Sequence, residues 1–243
     1  MEQLKDTVKI DSGSTLMIAH RGVSGLELEN TCSAFVAAGN RSYYGIETDV
    51  HVTKDGKYIV FHDDNTERVA GDCMVVENTT FETLRSLRLV DRDGKRGRAD
   101  LVMPSLEEYI LICKKYGKKA ILELKNRMTK EQNLEIASII DSLGYLDSTV
   151  FISFALDNLK DIRSAYPDQT VQFLDSKYDD STIDMLSGLK MDFDTLYSAL
   201  DERAIAYAHS KGVKVNAWTC DDPVFAADLV KWGIDYLTSN ILE

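Results

Sequence analysis

Three prolines and fourteen glycines in 243 residues, with no low-complexity tract, exclude a collagen-like, Pro-rich or disordered chain. Cysteine is scarce too. Cys32, Cys73, Cys113 and Cys220 stand 40 or more residues apart with no CxxC pair. That excludes a disulfide scaffold and a zinc knuckle, and reads as small core residues in a reducing compartment. No apolar run approaches the roughly 18 residues of a membrane span. The opening Met1-Glu2-Gln3-Leu4-Lys5-Asp6 lacks the basic and apolar stretches of a secretory leader, so a cytoplasmic location is expected. Positive charge is in deficit, 28 Lys and Arg against 40 Asp and Glu, a net −12 at pH 7. That sign opposes a nucleic-acid backbone or stable association with an anionic membrane, leaving a small molecule as the expected partner. A small phosphorylated substrate stays compatible, because local charge can oppose net charge. No apolar stripe separates from the packing faces, so no oligomeric state is assigned.

What is present is an ordinary globular balance, 44% hydrophobic and 28% charged. Eight short apolar runs, at 16–20, 45–50, 119–125, 149–154, 170–174, 194–198, 214–219 and 235–239, read as strands buried on both faces. Helix-period stretches lie between them. Ser105 with Glu108, and Thr129 with Gln132, are capping boxes. Asn30-Thr31, Asp201 and Asp222-Pro223 open three more helices, and Gly39, Gly117, Gly144, Gly212 and Gly233 close helices. Eight strands alternating with helices over ~250 residues predict an α/β fold of the (β/α)8 (TIM) barrel type. The run at 58–62 breaks the rhythm: Thr53-Lys54-Asp55-Gly56-Lys57 is too short for a parallel crossover, so an antiparallel hairpin is expected. Residues 1–243 then form one barrel domain, and 53–104, after the second strand, is a turn-rich polar insertion over the active-site face. Arg92–Arg98 reads as a solvated loop.

Barrel enzymes carry their chemistry at the C-terminal ends of the strands. The first strand ends in His20-Arg21-Gly22. Glu47 and Asp49 sit two apart, hence on one face, as do Glu123 and Lys125. The hairpin ends in His62-Asp63. A Glu-x-Asp pair is commonly solvated, but three carboxylates converging in a barrel mouth repel one another unless a cation joins them. A hard divalent ion, Mg²⁺ or Ca²⁺, takes such oxygens, so Glu47, Asp49 and Glu123 are candidate metal ligands. His20 and His62 suit an acid–base pair, and Arg21 and Lys125 a clamp on a negative group. Metal, acid–base pair and anion clamp point to metal-assisted phosphoryl-ester cleavage. His51 reads as a hairpin residue beyond the metal, and His209 as a surface group near a helix end. Glu29 could brace Arg21.

These residues, in order, resemble the glycerophosphodiester phosphodiesterase family. The resemblance rests on His20-Arg21-Gly22, Leu28-Glu29-Asn30-Thr31, Glu47-Thr48-Asp49-Val50, Thr53-Lys54-Asp55-Gly56, Val60-Phe61-His62-Asp63, Leu122-Glu123-Leu124-Lys125, Ser153-Phe154, Trp218-Thr219 and Gly233-Ile234-Asp235, nearly the whole chain. It implies a (β/α)8 barrel, a divalent cation on Glu47, Asp49 and Glu123, acid–base histidines His20 and His62, and phosphate on Arg21 and Lys125. It implies cleavage of a glycerophosphodiester to glycerol 3-phosphate and an alcohol, the glycerol 2-hydroxyl attacking phosphorus to give a cyclic phosphate that water opens. Which histidine starts is left open. Trp218 suits core or a pocket wall on the glycerol carbons; Phe154, the other substrate-binding candidate, leans towards core. Two positions depart from the family pattern: Leu28 replaces its usual proline, and Ser239-Asn240 ends a strand where Thr-Asp is common. A bulkier lysophospholipid-type substrate, or a non-catalytic phosphodiester-binding barrel, remain the alternatives.

Overall fold

The computed structural model describes residues 6–243. Strands β1 (Leu16–Ala19) and β2 (Gly45–Val52) flank helix α1 (Cys32–Gly39). Then come β3 (Tyr58–Val60) and the short helices α2 (Glu67–Ala70) and α3 (Phe81–Ser86). Helix α4 (Leu106–Tyr116) leads into β4 (Lys119–Leu124), and α5 (Lys130–Ser142) into β5 (Thr149–Ser153). Next are α6 (Leu156–Ala165), β6 (Val171–Asp175), α7 (Asp180–Leu189), β7 (Asp192–Leu196) and α8 (Glu202–Ser210). The chain ends with β8 (Val215–Trp218), α9 (Pro223–Lys231) and β9 (Tyr236–Ser239). The parallel strands follow the order β1-β9-β8-β7-β6-β5-β4-β2, and pairing of β1 with β2 closes an eight-stranded barrel. β3 pairs with β2 antiparallel, His51 opposite Ile59, as the five-residue connection requires.

Local signals place the helices. Both predicted capping boxes form, at Ser105–Glu108 and Thr129–Gln132, and Thr31, Asp201 and Asp222 cap α1, α8 and α9. Each such cap is worth about 0.5–2 kcal/mol. Apolar faces of α1, α4 and α5 (Phe35, Tyr109, Ile136) bury against the outside of the barrel. Inside, Ile18, Ile121, Val150, Ile152, Leu174 and Tyr236 form a second cluster. This interior plug supports the mouth from below, each buried Ile or Leu contributing about 1.5–3 kcal/mol.

Three expectations need correction. The sixth barrel strand, β7, is Asp192–Leu196, two residues before the predicted 194–198, because Tyr197–Ala199 turn into a 3-10 helix. Asp194 therefore lies mid-strand inside the barrel. The turn-rich stretch at 53–104 contains α2, α3 and a 3-10 turn at Val76–Asn78, over an apolar cluster of its own that includes Val69, Leu84, Leu101 and Met103. Cys73 is exposed and Cys32 half-buried; only Cys113 and Cys220 are core residues. Among the described residues no helix is long and apolar enough to cross a membrane.

Candidate active site

The polar ends of β1, β2 and β4 meet at one side of the barrel mouth. Glu47 and Asp49 alternate with outward-facing residues on β2, and the parallel register sets Asp49 beside Glu123 of β4. One oxygen of each carboxylate lies within 4.8 Å of the others, and all three side chains are buried. Few donors reach them. The Arg21 backbone N–H donates to Glu47 Oε2 (2.8 Å), Asn30 Nδ2 to Asp49 Oδ2 (2.8 Å), and Lys125 Nζ stands 3.0 Å from Glu123 Oε1 and 3.6 Å from Asp49 Oδ1. Asp49 Oδ1 is buried without a hydrogen bond. A compact all-oxygen cluster with an unused lone pair can bind a hard divalent cation.

The electrostatics agree. Burial pushes the Glu47 carboxyl well above the usual range, and neighbouring Asp49 adds to it. Glu123 is raised to about 8, again by burial and then Asp49. Burial acts upward on Asp49 too, but Arg21 and then Lys125 outweigh it and hold Asp49 at about 2. One carboxylate is charged and two resist ionisation, the imbalance that an added positive ion removes.

Backbone geometry aims the first-strand motif. Arg21 and Gly22 both adopt positive φ, 53° and 76°, as the chain leaves β1. A Cβ at Gly22 would lie 2.7 Å from the Ala34 backbone, so only glycine fits this turn. The turn sends the Arg21 guanidinium to Glu29 Oε1 (2.8 Å) and within 3.7 Å of Asp49 Oδ2. Glu29 does brace Arg21.

His20 and His62 face one cavity of about 140 Å³ that they share with Arg21, Glu47, Glu123 and Trp218. His20 Nδ1 lies 2.7 Å from Asn240 Oδ1. The amide orientation is set on its other side, where Asn240 Nδ2 donates to Asp221 Oδ2 at 2.6 Å. A flipped amide would oppose two oxygens, so Nδ1 carries the hydrogen and the neutral ring keeps an acceptor at Nε2. Burial, then the Arg21 charge, pushes this imidazole down to about 4, and it is neutral at neutral pH. His62 Nδ1 instead donates to a carboxylate, Asp63 Oδ1, at 2.7 Å. Its net displacement is downward too: burial leads and the Arg21 and Lys125 charges add to it, while Asp49 and Asp63 oppose it.

Arg68 on α2 ties these motifs together. It donates to both oxygens of Glu29 (2.7 and 2.8 Å) and both of Asp63 (2.7 and 3.1 Å). The chain Arg21–Glu29–Arg68–Asp63–His62 thus runs from the first-strand motif to the hairpin motif. Neither Arg68 nor Asn240 was singled out for these roles from sequence. Asn240 was visible only as a departure from the family pattern, and Arg68 depends on contacts 5 and 39 residues away.

The remaining candidates fall around the same mouth. Lys125 lines an adjoining groove with Glu123 and Phe154. Trp218 and Phe154 meet edge to face on the cavity wall, ring centroids 5.9 Å apart. Phe154 is 49% exposed, so it is a rim residue and not core. His51 is fully buried, its ring near Glu77 (3.4 Å) and the His62 carbonyl (3.3 Å), behind the cavity. His209 bonds Asp235 in the last turn of α8. A carboxyl not anticipated from sequence, Asp194, also lines the cavity.

Comparison with known proteins follows this geometry. Residues 20–242 match the Glycerophosphoryl diester phosphodiesterase family. The chain is 27% identical over 235 residues to the glycerophosphodiester phosphodiesterase of Caldanaerobacter subterraneus, covering 93% of this chain and 94% of that one. A solved glycerophosphodiester phosphodiesterase from Parabacteroides distasonis superposes with a TM-score of 0.76 at 27% identity, over 93% of both chains. A phosphodiesterase of Oleispira antarctica, solved with its product sn-glycerol-3-phosphate, gives 0.79 at 23% identity over 96% of both, a likeness of fold. Matched across nearly all of its length, and built on the barrel these enzymes share, the chain belongs to the glycerophosphoryl diester phosphodiesterase family.

Proposed function

We propose that this enzyme hydrolyses glycerophosphodiesters to glycerol 3-phosphate and an alcohol, with Mg²⁺ or Ca²⁺ held by Glu47, Asp49 and Glu123. The observation that carries this reading is the buried three-carboxylate cluster, two of whose members line one cavity with two histidines of different partners. A divalent cation held there would supply positive charge that stabilises the phosphate and makes the attacking hydroxyl more acidic. Arg21 and Lys125 hold the phosphate oxygens. His20 presents a neutral Nε2 acceptor, and it takes the proton of the glyceryl 2-hydroxyl as that oxygen bonds to phosphorus. His62, whose imidazolium has the Asp63 carboxylate as partner, gives its proton to the alcohol oxygen as the P–O bond breaks. The cyclic phosphate is then opened by water: His62 takes the water proton and His20 returns its own to the 2-oxygen. Trp218 and Phe154 wall the organic part of the substrate.

Residues 53–104 are read as part of the same domain and as one wall of this site. In support, their apolar cluster takes in Leu28, and Arg68 joins Asp63 to Glu29. A cytoplasmic location goes with the reading. The test is release of glycerol 3-phosphate from glycerophosphocholine and glycerophosphoethanolamine with EDTA, Mg²⁺ or Ca²⁺. Metal-dependent release is expected. Folded protein that releases none with either ion overturns the proposal.

A further inference from the structure

Below the triad, the cavity has an apolar wall, and Asp194 Oδ1 and Trp218 Nε1, polar atoms of its lining residues, lack hydrogen-bond partners. Ile152 and Leu174 line it from β5 and β6, and Asp194 from the neighbouring β7. The Asp194 side chain is buried, 2% exposed, and its Oδ1 has no hydrogen-bond partner. The polar side chain beside it on the next strand is engaged by two other residues. Asn216, its register partner on β8, accepts from Thr238 Oγ1 (3.1 Å) and donates to Gln172 Oε1 at 3.4 Å. A carboxyl that lines a cavity inside a barrel and keeps an unpaired oxygen is a place where a ligand donor is missing.

The proposed reaction says which donor. The glyceryl group carries two hydroxyls. The 2-hydroxyl attacks phosphorus and must lie at the triad and His20. The primary hydroxyl is one carbon further from the phosphate and takes no part in the chemistry. The alcohol on the other side of phosphorus leaves beside His62, whose side chain is 32% exposed and so faces solvent. The glyceryl carbons therefore run inward along Ile152 and Leu174, which brings the primary hydroxyl to the barrel interior.

Resting on that reading of the activity, we propose that Asp194 is a specificity-determining residue: its carboxyl binds the primary hydroxyl of the glyceryl group, so the pocket selects deacylated glycerophosphodiesters over diesters acylated at that position. Burial, with Glu123 adding to it, pushes this carboxyl well above the usual range against the opposing Asn216 amide. The protonated form donates to the hydroxyl as well, and in either form the carboxyl accepts from it. An acyl chain on that oxygen removes the donor and meets the closed interior of the barrel.

The experiment compares kcat/KM for three substrates with the metal-loaded enzyme: glycerophosphoethanolamine, 2-hydroxypropyl phosphoethanolamine and 1-oleoyl-glycerophosphoethanolamine. The second keeps the attacking hydroxyl and lacks only the primary one. A site built to bond a hydroxyl rejects the analogue without it strongly, so the parent enzyme is expected to prefer the glyceryl diester by about 10²-fold or more. In D194L that preference falls below about tenfold, while D194N, which still donates and accepts, retains most of it. The oleoyl diester is hydrolysed slower than the glyceryl diester by a similar factor. Equal rates for the first two substrates in the parent, an unchanged preference in D194L, or faster cleavage of the oleoyl diester would each overturn the proposal. The parent ratio decides even where D194L fails to fold. An enzyme that cleaves none of the three with either cation refutes the activity itself, a different result from cleavage without preference.

Discussion

Two buried glutamates in this barrel are displaced in opposite directions. Glu123, in the cavity, is raised to about 8, and Glu243, outside the barrel, is lowered to about 2. Burial acts upward on both; donors decide the outcome. Glu243 accepts from Lys9 Nζ (2.6 Å), from the Ser42 N–H and hydroxyl (2.6 Å each) and from Thr7 Oγ1 (2.5 Å). Glu123 has only Lys125, which it shares with Asp49. A structural carboxylate is surrounded by donors supplied by the fold, whereas the site withholds them and leaves room for a cation. Exchanging charge for an amide separates the two cases most sharply. E47Q and E123Q are expected to lose at least about 10⁴ in kcat/KM, since several kcal/mol of charge stabilisation goes with the ion. Without metal, E123Q melts no lower than its parent, because burial and the neighbouring Asp49 already disfavour the charged form of Glu123 and the amide has no charge to bury. A stable, active E123Q would erase the distinction.

The next contrast is between the two histidines. With glycerophosphocholine, H20A and H62A each lose about 10²–10⁴ in rate. With glyceryl p-nitrophenyl phosphate, whose phenolate leaves without a proton, single-turnover release of p-nitrophenol by H62A recovers to within about tenfold of the parent, and that by H20A does not. Recovery in H20A instead would exchange the assigned roles. A smaller effect is expected at Arg68, half-exposed and remote from the triad yet bonded to both Glu29 and Asp63. R68A lowers kcat about tenfold with KM little changed, and lysine does not restore it, because one ammonium cannot serve two carboxylates in fork geometry. Measuring kcat and KM for both variants separates positioning from substrate binding.

What could be read from the sequence divides along the same line. The barrel, the β2–β3 hairpin and the convergence of Glu47, Asp49 and Glu123 follow from local spacing and alternation, which act over a few residues. Asp194 was misplaced because Tyr197 and Ser198 look as strand-like as Asp192 and Phe193, and aspartate ordinarily argues against a strand interior. The helices at Glu67–Ala70 and Phe81–Ser86 are too short to show a period, and helices of that length depend on tertiary packing. Asn240, Arg68 and the orphan oxygen of Asp194 owe their roles to partners on other elements. No short window of sequence contains His20 with Asn240, 220 residues apart, or Arg68 with Glu29, 39 apart.

Glu243 supplies the smallest effect and the test of the structural half of the comparison. Its carboxyl, at about 2 in the folded chain against an ordinary 4.5, binds protons less readily folded than unfolded. Such a group adds stability above about pH 4.5, and the contribution fades as pH falls through the folded value. E243Q keeps the shape and one acceptor oxygen but weakens the bonds to Lys9, Ser42 and Thr7, each of which is made to a charged acceptor. A loss of about 1–3 kcal/mol is expected at pH 7, with a Tm lower by about 3–8 °C for a chain of this size. The gap between E243Q and parent narrows as pH is lowered from about 4.5 towards 2, because the parent then carries a neutral carboxyl too. Glycerophosphodiester turnover at 25 °C stays within about twofold, since no atom of Glu243 reaches the cavity. Melting curves of both proteins between pH 3 and 7 check the sign. A gap that stays constant across that range would mean that shape and not charge holds Glu243, and the two glutamates would no longer differ by their donors.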